Sequence, residues 1–426
     1  HERPRMATTT TMRVATWRQP LVVGCRNSCS KIAKYQFGSP SQKPLQQMSS
    51  LKCGQLRGSA YKALYVALRQ SRWARGAHVY PLRTMASSTG SGGKAKVVFL
   101  GTPEVAAGVL ERLLNAAEAE DACFEISAVV SQPGKPRGRG RVKGEAPPSP
   151  VADLAAKRGV PAESILTPFK AREEAFLKAM ETIAPDLCIT AAYGNMLPTR
   201  FLDIPKYGTL NIHPSLLPKF RGAAPVQRAL EAGVEETGVS VAYTVLACDA
   251  GPILANESMT PGDDIQGPEL LEALFERGTR LLLREIAGAL DGSGTGRAVP
   301  QDENEVVHAD KVSPEEAQLD FAHSGGARAL HNKVRGFAGW PGTKAAFVVE
   351  NKKGEKETIS VKVVKTCVGE GPRAEGLDQM AVSIVDKKRL QVECDDGSLL
   401  EILELQPPGK KVQEAFAFFN GLQGRP

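Results

Sequence analysis

Apolar and polar positions follow two rhythms through the middle of this chain. KVVFLGTPEVAAGVLERLL (residues 96–114) opens as a short apolar run, turns at Gly101, and continues with leucines at 110, 113 and 114. The first part has the length of a buried strand, the second the spacing of a helix face. FEISAVVSQP (124–133), DLCITAAYG (186–194) and GTLNIHPS (208–215) predict further strands, the first of them ending at Gln132. SPVADLAAKRG (149–159), EEAFLKAMETI (173–183) and PELLEALFERGTRLLLREIAGALDG (268–292) predict helices. Strands alternating with helices imply an α/β fold with a mostly parallel, Rossmann-like sheet, which gathers ligands at the carboxyl ends of its strands.

The rhythm changes after residue 291. Residues 292–312 are polar and lack periodicity, as a linker does. SPEEAQLDFAHSGGARALHNKVRGF (313–337) predicts a short helix or two, and TISVKVVKTCV (358–368), MAVSIVDKKRLQVEC (380–394) and SLLEILELQ (398–406) predict strands. Asp395, Asp396 and Gly397 suit a hairpin turn between the last two. An α/β domain over 94–291 followed by a small β-barrel over 313–426 is therefore expected. No apolar run approaches eighteen residues, so no membrane span is expected.

Charge sets the front of the chain apart. Residues 1–96 hold 17 Lys plus Arg against the single acid Glu2, whereas the remaining residues hold 37 basic and 46 acidic groups. An Arg-, Ser- and Ala-rich segment almost free of acids reads as an organellar transit peptide over residues 1–93. YKALYVALRQSRWAR (61–75) would supply its amphipathic helix, and cleavage is expected near residues 85–96. The expected location is the mitochondrial matrix or the chloroplast stroma, with the mitochondrion favoured; a basic arm that binds RNA is the alternative. Cys25, Cys29 and Cys53 lie in this leader, and Cys123, Cys188, Cys248, Cys367 and Cys394 have no paired spacing. Packed thiols, with neither zinc nor disulfides, are expected.

The chemistry concentrates in LNIHPSLLPKFRGAAP (210–225) and CDAGP (248–252). Residues i and i+2 of a strand face the same way, so Asn211 and His213 can enter one cleft. Asp249 follows a second apolar run, TGVSVAYTVLA (237–247), and could close on that cleft. An amide donor, an imidazole and a carboxylate can together stabilise an oxyanion and manage a proton. That combination needs no serine or cysteine nucleophile and suits direct transfer of an acyl group to an amine. In AYGNMLP (192–198), Gly194 permits a close backbone approach, while Met196 and Leu197 can face a flat heterocycle. GKPRGRGRVKG (134–144) places Lys135, Arg137, Arg139, Arg141 and Lys143 at alternate positions, one charged face if the loop is extended. Such a loop suits a phosphate backbone.

HPSLLPKFRGAAPVQ, AYGNMLP and DAGP together resemble the folate-dependent formyltransferases. KFRGAAPVQRAL, the QPGKPRGRGR loop and the terminal LQPPGKK (405–411) are most similar to the methionyl-tRNA branch. The resemblance runs from Val97 to Lys411. It implies that the barrel is OB-like and that 10-formyltetrahydrofolate donates a formyl group to the α-amino group of initiator methionyl-tRNA; a monomeric enzyme without a metal is expected. It implies that Asn211 donates to the oxyanion, that His213 stabilises charge or moves the proton, and that Asp249 orients His213 or acts through a water. Gly194, Met196 and Leu197, with Ser215, Leu216, Leu217 and Pro218, would line the folate site. Arg139 would be the principal grip on the acceptor arm, Arg221 would hold the terminal phosphate, and Lys410 and Lys411 would touch the stem. Gly134 departs from the family pattern, which often has an aspartate there.

Another enzyme using 10-formyltetrahydrofolate (a glycinamide ribonucleotide or sugar formyltransferase, or a hydrolase) shares the His, SLLP and Asp elements but has no need of a basic loop and a β-rich tail. A nicotinamide dehydrogenase would want G-x-G-x-x-G, and only Gly101 and Gly108 stand after the first strand. A non-catalytic tRNA-binding protein would not need Asn211, His213 and Asp249 together.

Overall fold

The computed structural model describes residues 12–15, 93–135, 146–350, 355–370 and 380–423. The amphipathic run 61–75, the leader cysteines, Arg137, Arg139, Arg141 and Lys143 lie outside them.

The first strand, β1 (Met12–Val14), belongs to the C-terminal half and is taken up with it below. The α/β domain then runs β2 (Ala95–Gly101), α1 (Glu104–Ala117), β3 (Phe124–Val130), α2 (Pro150–Lys157), β4 (Ile165–Leu166), α3 (Glu174–Ile183), β5 (Leu187–Ala191), α4 (Thr199–Leu202), β6 (Thr209–His213), α5 (Pro225–Glu231), β7 (Thr237–Tyr243), β8 (Ile253–Met259) and α6 (Gly267–Leu290). Among the described residues the strands lie in the order β4-β3-β2-β5-β6-β7-β8. β4 to β6 are parallel, and β7 and β8 join antiparallel. The predicted parallel sheet is present, extended by an antiparallel pair at one edge.

Side-chain alternation explains why both faces are covered. Val97 and Phe99 of β2 pack on one side with Leu110 and Leu113 of α1 and Leu274 and Leu282 of α6. Val98 and Leu100 point the other way, onto Phe176, Leu177 and Met180 of α3. A strand buried on both faces loses the apolar/polar alternation of a one-sided strand, which is why β2 reads as an unbroken apolar run. Two helix starts carry side-chain caps: Ser149 accepts from the Ala152 N–H ahead of Pro150, and Gln266 forms a capping box with Glu269 at α6.

The order in which strands are added reverses at β2, with β3 and β4 on one side and β5 on the other. Such a switch point opens a crevice at the carboxyl ends of the strands. The Thr102 hydroxyl beyond β2 donates to the Tyr193 carbonyl beyond β5 at 2.9 Å, and the Gln132 amide beyond β3 donates to the same oxygen at 3.1 Å. Three strand ends are thereby tied around one loop.

After the short helix α7 (Ser293–Arg297) the predicted linker is folded down rather than free. Val299 exchanges backbone hydrogen bonds with Ile253, and the chain pairs with Arg221 through Val307 and Ala309. The C-terminal half then comprises α8 (Ala327–Gly336), β9 (Thr343–Glu350), β10 (Lys356–Val368), β11 (Ser383–Val385), β12 (Arg389–Glu393), β13 (Leu399–Gln406), β14 (Gln413–Glu414) and α9 (Ala415–Gln423). Its sheet runs β1-β9-β10-β13-β12-β11, with antiparallel pairings throughout and β14 beside β13. The hairpin predicted at Asp395–Gly397 is present, with Cys394 N–H donating to the Ser398 carbonyl. His331 of α8 joins the halves: its Nε2 bonds the Asp263 carbonyl beyond β8 at 3.0 Å, and its Nδ1 faces the Thr366 hydroxyl of β10 at 3.0 Å.

One expectation fails at the front of the chain. A transit peptide over residues 1–93 implies a leader outside the fold, yet β1 pairs with β9 on one side. On the other side, Val14 N–H donates to Met380 and Val382 N–H donates to Met12. β1 thus bridges β9 to the residues leading into β11 and closes the curled sheet into a barrel. Met12 and Val14 are buried in the barrel core with Phe347, Leu390 and Val392. Two buried apolar side chains are worth about 3 kcal/mol or more. Deleting residues 1–17 should therefore lower the barrel's melting temperature by on the order of 10 °C in a thermal scan. An unchanged melting temperature would show that β1 contributes nothing to the barrel.

Candidate active site

Asn211 and His213 leave the last turn of pairing in β6 on the same side, as their spacing requires. Thr190 stands beside Asn211 in the register of β5, and its hydroxyl donates to Asn211 Oδ1 at 2.8 Å. That bond fixes which end of the amide is which. The NH₂ group is turned outward, 3.5 Å from Asp249 Oδ1, at the outer limit of a hydrogen bond.

His213 is buried. Its Nε2 lies 2.9 Å from the Phe220 carbonyl. A carbonyl can only accept, so Nε2 carries the hydrogen and Nδ1 is the atom left to take or give a proton. Nδ1 lies 3.7 Å from Asp249 Oδ1. The segment SLLPKF between His213 and Arg221 is wound to place that carbonyl. The Ser215 hydroxyl donates to the Lys219 carbonyl at 2.6 Å, the Ser240 hydroxyl of β7 links the Ser215 carbonyl to the Leu217 N–H, and Phe220 adopts φ = 60°.

Asp249 arrives from the connection between β7 and β8 with φ = 49°. Its Oδ2 accepts from the Gly222 N–H at 3.0 Å, leaving Oδ1 toward Asn211 and His213. The neighbouring Cys248 thiol is exposed, and partial burial with the Asp249 charge pushes its pKa up to about 11. It stays a thiol at neutral pH and is a poor nucleophile. An outward-facing amide, an imidazole with one addressable nitrogen and a carboxylate thus converge on one point, an arrangement suited to a tetrahedral oxyanion and one mobile proton.

The description Formyl transferase matches residues 95–279, and Formyl transferase, C-terminal domain, matches residues 311–423. The methionyl-tRNA formyltransferase of Bacillus licheniformis is 35% identical over 326 residues, covering 76% of this chain and 95% of the relative. That of Myxococcus xanthus is 37% identical over 331 residues, covering 77% and 95%. The chain belongs to the methionyl-tRNA formyltransferases. Among solved structures, the sugar 3N-formyl transferase WlaRD shares the fold at a TM-score of 0.51 and 13% identity, covering 75% of this chain and all of that one.

The remaining residues singled out in the sequence are distributed unevenly in this formyltransferase. Gly194 is exposed with φ = 80°, Met196 is 69% exposed, and Leu197 is buried. Ser215 and Leu217 are buried within their own segment, and Leu216 and Pro218 are partly exposed. Phe169, missed in the sequence, is 77% exposed, and its carbonyl accepts from Asn195. That bond ties Phe169 to the residue before Met196, so two exposed apolar residues belong to linked segments. Lys135 is exposed at the root of the basic loop. Gly134 closes that root: a Cβ there would lie 1.8 Å from the Pro147 carbonyl oxygen, so the aspartate common in the family does not fit this backbone. Lys410 and Lys411 are exposed after the turn that follows β13.

Arg221 departs from its expected role. Its guanidinium, expected to meet a phosphate, is only 6% exposed and already engaged, through Nε with Gln301 at 2.8 Å and through both Nη atoms with Glu303 at 3.0 and 3.2 Å. Its partners come from the linker, and nothing in the periodicity of residues 292–312 announces them. The cysteines also divide: Cys188 and Cys394 are packed as expected, while Cys123 and Cys248 are exposed. Among the described residues no group of His, Cys, Asp and Glu could hold a metal, and no helix is long and apolar enough to cross a membrane.

Proposed function

We propose that this enzyme moves the formyl group of 10-formyltetrahydrofolate onto the α-amino group of initiator methionyl-tRNA, acting as a monomer in the mitochondrial matrix or the chloroplast stroma. The observation that carries the reading is the meeting of Asn211, His213 and Asp249 within 3.5 to 3.7 Å at the end of β6. An open lip with the exposed Gly194 backbone, Met196 and Phe169 supports a flat heterocyclic donor there. Ser215 to Pro218 contribute by shaping that wall and by holding the Phe220 carbonyl against His213.

The donor supplies an activated formyl carbon, and the residues of the chain do the rest. Attack by the amine pushes electrons onto the formyl oxygen, and the Asn211 N–H meets the charge as it forms. The amine's proton goes to His213 Nδ1, which passes it to the departing nitrogen. Asp249 Oδ1, at 3.7 Å from Nδ1, keeps the imidazole turned toward that path.

Lys135, Arg137, Arg139, Arg141 and Lys143 form the proposed tRNA grip, with Lys410 and Lys411 as an outlying contact. Arg139→Ala should raise the KM for methionyl-tRNA several-fold, leave kcat nearly unchanged, and reduce the salt slope of binding by about one unit. An unchanged slope would remove Arg139 from the contact. Incubating the full chain with labelled donor and initiator methionyl-tRNA, elongator methionyl-tRNA, glycinamide ribonucleotide or buffer tests the whole reading. Label is expected on the initiator far faster than elsewhere, and release to water would overturn the acceptor assignment.

A further inference from the structure

We propose that Gln301, a residue of the segment between the two halves, is a positioning residue for Asp249. The inference rests on the proposed role of Asp249 and deepens it. Gln301 Nε2 donates to two carbonyls of the catalytic connection, Asp249 at 2.8 Å and Gly251 at 2.6 Å. Its Oε1 accepts from Arg221 Nε at 2.8 Å, and Arg221 is in turn held by both carboxylate oxygens of Glu303. The amide is therefore fixed in orientation: Arg221 can only donate, so the oxygen faces it and both hydrogens face the loop.

Such support answers a specific need. Asp249 sits at φ = 49°, a backbone conformation that a residue with a side chain adopts only when its surroundings insist. The Gly222 N–H holds its carboxylate, and Gln301 holds its backbone carbonyl. Both supports converge on one segment, because Gly222 follows Arg221, whose own backbone is paired with Val307 and Ala309. The chain between the halves therefore acts as the outer wall of the active site, and a single glutamine transmits its position to the carboxylate.

Gln301 touches no reacting atom, so its effect should fall on kcat and leave acceptor binding alone. In the full chain, Gln301→Ala should lower kcat about 10- to 100-fold, with the KM for methionyl-tRNA changed less than about twofold. Gln301→Glu keeps an acceptor for Arg221 but offers no N–H to the two carbonyls, so it should be at least as slow. Combined with Asp249→Ala, Gln301→Ala should cost nothing further, because both act through one group. Rates are taken per folded molecule, from the amplitude of thermal unfolding. A normal kcat in Gln301→Glu would assign the residue to Arg221 alone and overturn the proposal. So would losses that multiply in the double variant. If Asp249→Ala itself turns over normally, the role of Asp249 and the proposal fall together. If Asp249→Ala is inactive while Gln301→Ala is normal, the proposal alone falls.

Discussion

Asn211→Ala should form product roughly 100- to 1000-fold more slowly in kcat than the unmodified enzyme. Its tRNA affinity should be nearly unchanged, because no charged group or basic loop is touched. The magnitude follows from the geometry. Thr190 takes Asn211 Oδ1, so the outward NH₂ is the one neutral donor of the three converging side chains, and alanine leaves nothing in its place. Asn211→Asp is the sharper comparison. It would set a carboxylate where negative charge develops and beside Asp249 Oδ1, now 3.5 Å from the amide nitrogen. It should be slower than the alanine variant. Single-turnover rates with labelled donor and saturating methionyl-tRNA make the measurement, with filter binding as the affinity control. An alanine variant within tenfold of the unmodified rate would remove the amide from the oxyanion site.

Gly251→Ala should be comparably damaging for a different reason. A Cβ at position 251 would lie 1.7 Å from the Tyr243 carbonyl oxygen and 2.8 Å from its carbon. No rotamer can relieve that contact, because both partners are backbone. The Tyr243 N–H is already bonded to the Pro252 carbonyl, so the entrance to β8 and the exit of β7 must separate. Asp249, two residues away, moves with them, and the Gln301 bond to the Gly251 carbonyl breaks. Transfer should fall by more than about 100-fold and stability by about 3 kcal/mol or more. Denaturant unfolding and kcat/KM together check it. Full activity would mean that this loop is not held by the Tyr243 contact.

Several elements were legible because their signals are local. The unbroken apolar run of β2, the helical run of α2, the long amphipathic α6 and the Asp-Gly hairpin before β13 are written within a few residues each. Asn211 and His213 were legible for the same reason, since a period of two places them together whatever the strand's neighbours. Thr190 was not, because nothing within β5 tells which residue of β6 it will face. Met12 to Val14 lie in a leader whose composition is unlike a folded domain, and three residues are too few for a periodicity. Residues 292–312 show only polarity, and a polar segment can as readily be a wall as a tether.

By itself the sequence determined the classes of element, the α/β body followed by a β-rich tail, and the chemical inventory of Asn211, His213, Asp249 and an alternating basic loop. The tertiary structure decided which atoms those residues present: Asn211 Nδ2 rather than Oδ1, His213 Nδ1 rather than Nε2, Asp249 Oδ1 rather than Oδ2. It also turned Arg221 from a surface cation into a buried tie between Gln301 and Glu303. The physical reason is the range of the interactions. Periodicity and turn chemistry act over a few residues, whereas the hydrogen bonds that orient the Asn211 amide and the Arg221 guanidinium join positions 21 to 82 residues apart, which only the folded chain brings together.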